Sequence, residues 1–343
     1  MPRLRRMQIE LTDRCNEKCV HCYVSKDGEG RDMRLELLSA VLDQGRVLGL
    51  EQVVFSGGEP MLHPGFFDAL ARAGGCGLKM RVFSNLTLLD DDAARRIQRL
   101  DVCEVQTSLY CVAPGVHDAV TGTPGSCAQT MRGIERLAGL GVRVFVNCPV
   151  IGLNKESYPG VMAFAGRLGV GVAPDNMIMV RADGDRSNLE HRLNIDEALR
   201  VIRDILDNDS AYDDEHFSPS RGRPAGIPPR ALNVCCEAVC VNAKGEVLPL
   251  PEWNLPLGDL NRQSLKDVWE NSPAIKRLRE IGPKDFPKCR PCTAAPFCTM
   301  GLGGNANESP DGDPLTVPPH VCELAEKTRT LVHSRRNKHK ETT

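Results

Sequence analysis

Arg14-Cys15-Asn16-Glu17-Lys18-Cys19-Val20-His21-Cys22-Tyr23 decides how this chain is read. Its three cysteines follow C-x3-C-x2-C directly after an apolar, strand-like run, Met7–Leu11. Thiolates this close on one loop can converge on one metal centre. A four-iron cluster takes one thiolate per iron, so three thiolates leave one iron open to another ligand. A zinc knuckle, or loose thiols, is the other reading of the spacing alone.

Downstream, Ser56-Gly57-Gly58-Glu59-Pro60 follows a second strand-like run, Gln52–Ser56. Paired glycines let a ligand approach the backbone closely, and a carboxylate such as Glu59 can hold an ammonium group. Ser84-Asn85 ends a third run, Lys79–Ser84, with hydroxyl and amide groups suited to a ribose. Further strand-like runs are Val102–Leu109, Val142–Asn147 and Met177–Val180. Between the runs lie helix-like stretches at Leu35–Leu48, Asp91–Leu100 (with Asp90 as N-cap), Cys127–Leu140, Ser157–Leu168 and Ile195–Leu206. Strands alternating with helices predict βα units around a parallel sheet, with ligands at the carboxyl ends of the strands.

Composition narrows the classes. The chain has 343 residues, 41% hydrophobic and 26% charged, so it can bury a sizeable core and is not a disordered chain. A formal net charge of −2 argues against a broad nucleic-acid-binding surface. No apolar run approaches the roughly 20 residues of a membrane span, and no apolar h-region follows the basic N-terminus. The expectation is a cytoplasmic protein that binds neither membrane nor nucleic acid. Fifteen cysteines in a reducing compartment point to metal or redox chemistry rather than disulfides.

Together, the three-cysteine loop, the Gly57-Gly58-Glu59-Pro60 turn and the ordered βα units resemble the radical S-adenosylmethionine (radical SAM) superfamily over roughly residues 7–181. The resemblance implies an α/β fold, a partial (βα)6 barrel, with a [4Fe-4S] cluster on Cys15, Cys19 and Cys22. It implies SAM chelating the open iron, with Gly57, Gly58 and Glu59 at its amino group. Ser84 and Asn85 would lie near the ribose, with Arg181, ending the sixth strand, as a further candidate, and backbone at His21 and Tyr23 would flank the adenine. One electron from the cluster would cleave SAM to methionine and a 5′-deoxyadenosyl radical, which takes hydrogen from an unactivated C–H bond.

The pattern breaks after residue 207. Asp207–Pro229 is rich in Pro, Gly, Ser and Asp, so the expected organisation is a barrel at 1–207, a linker or long loop at 208–230, a cysteine-rich domain at 231–330 and a basic tail at 331–343. Cys235, Cys236 and Cys240 open the third part, followed by Gly245-Glu246-Val247-Leu248-Pro249 and a helical Ser264–Glu270 and Ala274–Glu280. Cys289-x2-Cys292-x5-Cys298 and then Cys322 close it. On spacing alone a zinc ribbon competes with iron–sulfur. Beside the barrel, the segment resembles a SPASM domain, a small α+β extension that normally carries two auxiliary [4Fe-4S] clusters. The set Cys289, Cys292, Cys298 and Cys322 is complete. The other site is not: its G-x4-C cysteine is Leu250, and the cysteine four positions after Cys298 is Leu302. Cys235, Cys236 and Cys240 are leftover candidate ligands, and one auxiliary cluster is expected.

Cys76, Cys103 and Cys148 are expected to pack as small hydrophobes. Cys111, ending the fourth strand, is a candidate hydrogen donor facing the substrate. The resemblance implies an enzyme acting on a peptide, a ribosomally made natural-product precursor, by cross-linking or epimerisation. The alternative is dehydrogenation or epimerisation of a sugar or aminocyclitol. An electron donor such as flavodoxin or ferredoxin is implied. With no extension before the Cys15 loop, a separate peptide-recognition protein is expected.

Overall fold

The computed structural model describes residues 2–24, 30–208 and 233–341, with residues 336–341 as backbone alone. Nearly all of the expected linker, 209–230, lies outside the described residues.

Strand β1 (Arg6–Thr12) shows how the sequence builds the sheet. Met7, Ile9 and Leu11 are at most 1% exposed and join the main core. Gln8 and Glu10 alternate with them and take the opposite face, because successive strand side chains point to opposite sides. Strands β2 (Gln52–Gly57), β3 (Lys79–Phe83), β4 (Glu104–Ser108), β5 (Val144–Pro149) and β6 (Gly171–Asp175) follow in parallel register. Their connections are helical: α1 (Leu35–Leu48), α2 (Phe66–Gly75), α3 (Asp91–Arg99), α4 (Pro114–Thr121), α5 (Ser126–Gly139) and α6 (Tyr158–Leu168), with α7 (Ile195–Asn208) after β6. Asp90 caps α3 as expected, its carboxylate accepting from Ala93 N at 2.8 Å. Parallel strands with helical crossovers bury the Met7 face against the helices and leave the Gln8 face as the inner surface.

The sixth strand is not Met177–Val180. It is Gly171–Asp175, whose Gly171 and Pro174 disguise it in the sequence; as the edge of the sheet it needs a ladder on one side only, so Pro174 is tolerated. The apolar run instead folds over the cysteine loop. Ile178 packs with Tyr110, Val120 and Ile151 in a second small core that also touches Val20.

The carboxyl-terminal part does not stand apart from the sheet. β7 (Ala238–Val241) pairs in parallel with β1, and β8 (Glu246–Leu248) and β9 (Gly258–Asp259) add antiparallel strands. The order of the nine strands is β6-β5-β4-β3-β2-β1-β7-β8-β9. Helices α8 (Leu265–Asn271), α9 (Pro273–Glu280), α10 (Leu302–Glu308) and α11 (Pro319–Glu341) complete the described chain. The expected basic tail is thus largely the end of α11, tied to α7 where Arg335 donates to the carbonyl of Leu206 at 2.8 Å. Among the described residues, no helix is long and apolar enough to cross a membrane.

Candidate iron–sulfur and cofactor site

The cysteine loop leaves the carboxyl end of β1 and is pinned from three sides. Lys18 N and Val20 N donate to the carbonyls of Thr121 and Val120 at 2.8 and 2.9 Å, tying it to the end of α4. From the far side, Arg181, only 2% exposed, donates to the carbonyls of Cys22 (2.7 Å) and Val20 (3.1 Å). From β2, Gly58 N donates to Thr12 O and Glu59 N to Arg14 O, both at 2.8 Å.

That last contact explains the paired glycines. A Cβ on Gly57 would stand 2.2 Å from the Thr12 carbonyl oxygen, and one on Gly58 would stand 2.2 Å from that of Arg14. Gly57 also has φ +143°, a conformation other residues rarely adopt. The turn after β2 and the cysteine loop can touch only because both side chains are missing.

Glu59 is fully buried, and burial pushes its carboxyl up to about 7. It accepts from Met61 N (3.0 Å), Ser84 Oγ (2.8 Å) and Asn85 N (2.7 Å). Ser84 Oγ also accepts from Leu86 N, and the Asn85 amide bridges Asn16 and Thr87. Ser84 and Asn85 thus hold Glu59 and the cysteine loop. Arg181 lies beyond the sixth strand rather than ending it, and its guanidinium braces the loop backbone. Tyr23 O is taken by Ala182 N at 2.8 Å, and His21 O accepts from Asn188 Nδ2 at 3.3 Å.

The donor set suits an iron–sulfur cluster. Burial, then the nearby acids and thiols, pushes Cys15 up to about 12; Cys19 is raised by burial first and then by Glu17, Cys22 and Cys15. Three converging thiols held this protonated need a cation to become thiolates, and coordination deprotonates a thiol outright. Among the described residues, no three His, Cys, Asp or Glu side chains gather as one metal ion would require. Cluster thiolates each bind a different iron and stand wider apart.

Glu59→Gln is expected to weaken SAM binding by about 10–100-fold, because a charge-assisted contact is worth roughly 1.5–3 kcal/mol and a glutamine amide would also face donors. Equilibrium dialysis with iron content as control checks this. Unchanged SAM affinity at full iron content would remove Glu59 from the cofactor site.

At the other end of the molecule, Cys289, Cys292 and Cys298 sit on consecutive tight turns, with Cys322 in the first turn of α11. Burial, and then Cys322 and Cys292, raises Cys289; burial, with Cys322, Cys289 and Cys292 adding to it, pushes Cys298 up to about 11, which sets the four thiols near one another. Where a second auxiliary cluster would need ligands, Leu302 is 1% exposed, and Leu250 and Trp253 close on α10: a Cβ on Gly303 would meet them at 3.4 and 3.2 Å. The leftover cysteines diverge. Cys235 and Cys236 lie near each other and Arg279, whereas Cys240 lies near Glu10 and Glu252.

One expectation about cysteines is corrected. Cys103 is exposed, since it precedes β4 at the amino-terminal end of the sheet rather than packing. Cys111 is 2% exposed, its sulfur accepting from Ala113 N at 3.2 Å and its carbonyl accepting from the Cys127 thiol. Sequence reasoning missed Tyr110, Asn154 and the Val120 turn as supports of the loop; only their placement in space marks them.

Comparison with known proteins fits this geometry. The radical SAM superfamily profile matches residues 9–165, and the SPASM profile, an iron-sulfur cluster-binding domain, matches 234–293. The chain is 23% identical to an AdoMet-dependent heme synthase of Nitratidesulfovibrio vulgaris, over 87% of each chain. It is 25% identical to a PqqA peptide cyclase of Gluconobacter oxydans (92% of this chain, 89% of that one) and 27% identical to the mycofactocin maturase MftC of Mycobacterium ulcerans (91% and 86%). Among solved structures, native anSMEcpe with bound AdoMet superposes with a TM-score of 0.76 at 17% identity, covering 96% of this chain and 97% of that one. Streptococcus suis SuiB bound to S-adenosylmethionine gives 0.73 at 14%, covering 94% and 78%. These two likenesses establish the fold, a partial α/β barrel with a carboxyl-terminal extension.

Proposed function

We propose that this radical SAM enzyme, which carries a SPASM-type iron–sulfur domain after its barrel, modifies a peptide, a ribosomally made natural-product precursor. The observation that carries the reading is one continuous sheet linking the three-thiol loop to an auxiliary domain with a single complete cysteine set, in a chain that aligns over most of its length with relatives named as a peptide cyclase and a maturase. When bound, the cluster and SAM supply one-electron cleavage of SAM and abstraction of a substrate hydrogen atom. Cys15, Cys19 and Cys22 hold the first cluster, and Cys289, Cys292, Cys298 and Cys322 the auxiliary one. Gly57 and Gly58 let the backbone close on the cofactor, and Glu59 holds its ammonium. Arg181 and the end of α4 fix the loop, and the inner face of the sheet orients the substrate and excludes water. A flavodoxin or ferredoxin delivers the electrons, and a separate recognition protein presents the peptide.

The test is anaerobic reconstitution, reduction and incubation with SAM and short peptides encoded beside the gene. The expected result is 5′-deoxyadenosine together with a change in mass of one peptide. Deoxyadenosine formed in step with conversion of a tetrapyrrole, with every peptide unchanged, would overturn the peptide reading in favour of the chemistry named for the heme synthase relatives.

A further inference from the structure

The amino-terminal end of the barrel, opposite the cysteine loop, carries charge that plays no part in holding the cluster or SAM. In a closed barrel the inward side chains form packed apolar layers. Here the first inward layer is polar. Val53 and Phe55 of β2 and Met80 and Val82 of β3 are buried in the main core, so Gln52, Lys79 and Arg81 point to the inner face. The register sets Gln52 beside Lys79 and Arg81 beside Glu104. Arg143, one position before β5, joins this layer through its ion pair with Glu104, Nε to Oε2 at 2.9 Å. These side chains border one cleft of about 940 Å³, reached also by the carboxyl ends of α2 and α3 at Gly75 and Arg99. That volume falls in the range of ligand pockets.

The charges of the cleft do not balance. Lys79, Arg81, Arg99 and Arg143 stand against Asp101 and Glu104. Glu104, its side chain 7% exposed, is engaged by Arg81 and Arg143 at once. Among the described residues, the side chains of Lys79 and Arg99 make no ion pair and no hydrogen bond. Glu51, next to Gln52, is already held by Arg5 at 3.0 Å. The two helix ends add about half a negative charge each at most. The cleft is therefore positive, in a chain whose formal net charge is −2.

We propose that this mouth of the barrel binds carboxylate side chains of the substrate peptide, an acidic stretch that lies on the inner face while another residue reaches the cofactor at the far end. Lys79, Arg99 and the Arg143 guanidinium, its side chain 76% exposed, supply charge-assisted donors, and the Arg81–Glu104 pair fixes the floor between them. β3 leads from Lys79 at the mouth to Ser84, which donates to Glu59. That is a rise of roughly 17 Å at about 3.3 Å per residue. An extended peptide covers the span in about five residues, so the acidic residue stands about five positions from the one modified. The inference rests on the reading of a peptide substrate and deepens it by naming the charge that the peptide carries.

The test uses reconstituted, SAM-loaded protein and three probes titrated by calorimetry: an acetylated, amidated glutamate tripeptide, its glutamine counterpart and inorganic phosphate. The glutamate peptide should bind about 10-fold or more tightly than the glutamine peptide. Lys79→Gln with Arg99→Gln should remove most of that preference at unchanged iron content and SAM affinity. Bound glutamate peptide should also slow alkylation of Cys103, an exposed thiol that borders the cleft. Equal binding of the two peptides, a preference surviving the double variant, or Cys103 alkylated at an unchanged rate under saturating glutamate peptide overturns the site. Phosphate binding as tightly as the glutamate peptide overturns it too, by showing a site for any anion. The probes are bound and not converted, so this outcome is separate from the mass-change test above. Glutamate preference with every peptide unchanged overturns the peptide reading, whereas a peptide converted without glutamate preference overturns the acidic site alone.

Discussion

Replacing Cys15, Cys19 and Cys22 together with Ala should reduce 5′-deoxyadenosine formation to the uncatalysed background. Alkyl side chains cannot coordinate iron, and among the described residues the barrel cysteines Cys111 and Cys127 are buried beside each other beneath the end of β4. The loop itself should survive, because Lys18, Val20, Gly58, Glu59 and Arg181 hold it through backbone atoms. The variant should therefore keep its far-ultraviolet circular dichroism and retain about four irons, those of the auxiliary cluster. Deoxyadenosine produced by the triple variant would refute the assignment of this loop, and loss of all iron would show that the two centres fold as one unit.

The second large effect concerns iron stoichiometry. One radical SAM cluster and one auxiliary cluster hold about eight irons per chain, and a second auxiliary cluster would raise this to about twelve. Cys289→Ala with Cys298→Ala should remove about four, since these thiols share a site with Cys292 and Cys322. Cys235→Ala with Cys240→Ala should remove none. Cys235 lies with Arg279 and Cys236, Cys240 lies with Glu10 and Glu252 on the inner face, and Leu250, Trp253 and Leu302 close the position where missing ligands would stand. Anaerobic iron and sulfide analysis of the parent and both double variants decides between the counts. About twelve irons in the parent, falling when Cys235 and Cys240 are changed, would contradict it.

Much of this architecture was legible in the residues because it is local. Alternation in Met7–Leu11, the cysteine spacing and the glycine pair each act over a few positions, and the strand order followed from their repetition. The sixth strand escaped because Gly171 and Pro174 carry no strand signal, while Met177–Val180 reads as a strand but packs as a cover over Val20. Helix α2 escaped because it ends in Gly74 and Gly75, and α4 because it is short and begins with Pro114. Cys103 was misread because apolar surroundings in sequence do not reveal which end of the sheet a residue occupies. The role of Arg181 depends on contacts with Cys22 and Val20, 159 and 161 positions earlier in the chain, and no window of sequence contains them.

The central claim is that this barrel takes a hydrogen atom from a peptide. Its most direct measurement is transfer of deuterium from a peptide made with deuterated residues into 5′-deoxyadenosine, followed by mass spectrometry under anaerobic turnover. The account predicts deoxyadenosine enriched in deuterium at a rate matching peptide modification. Unlabelled deoxyadenosine, formed at the same rate with and without the peptide, would contradict it.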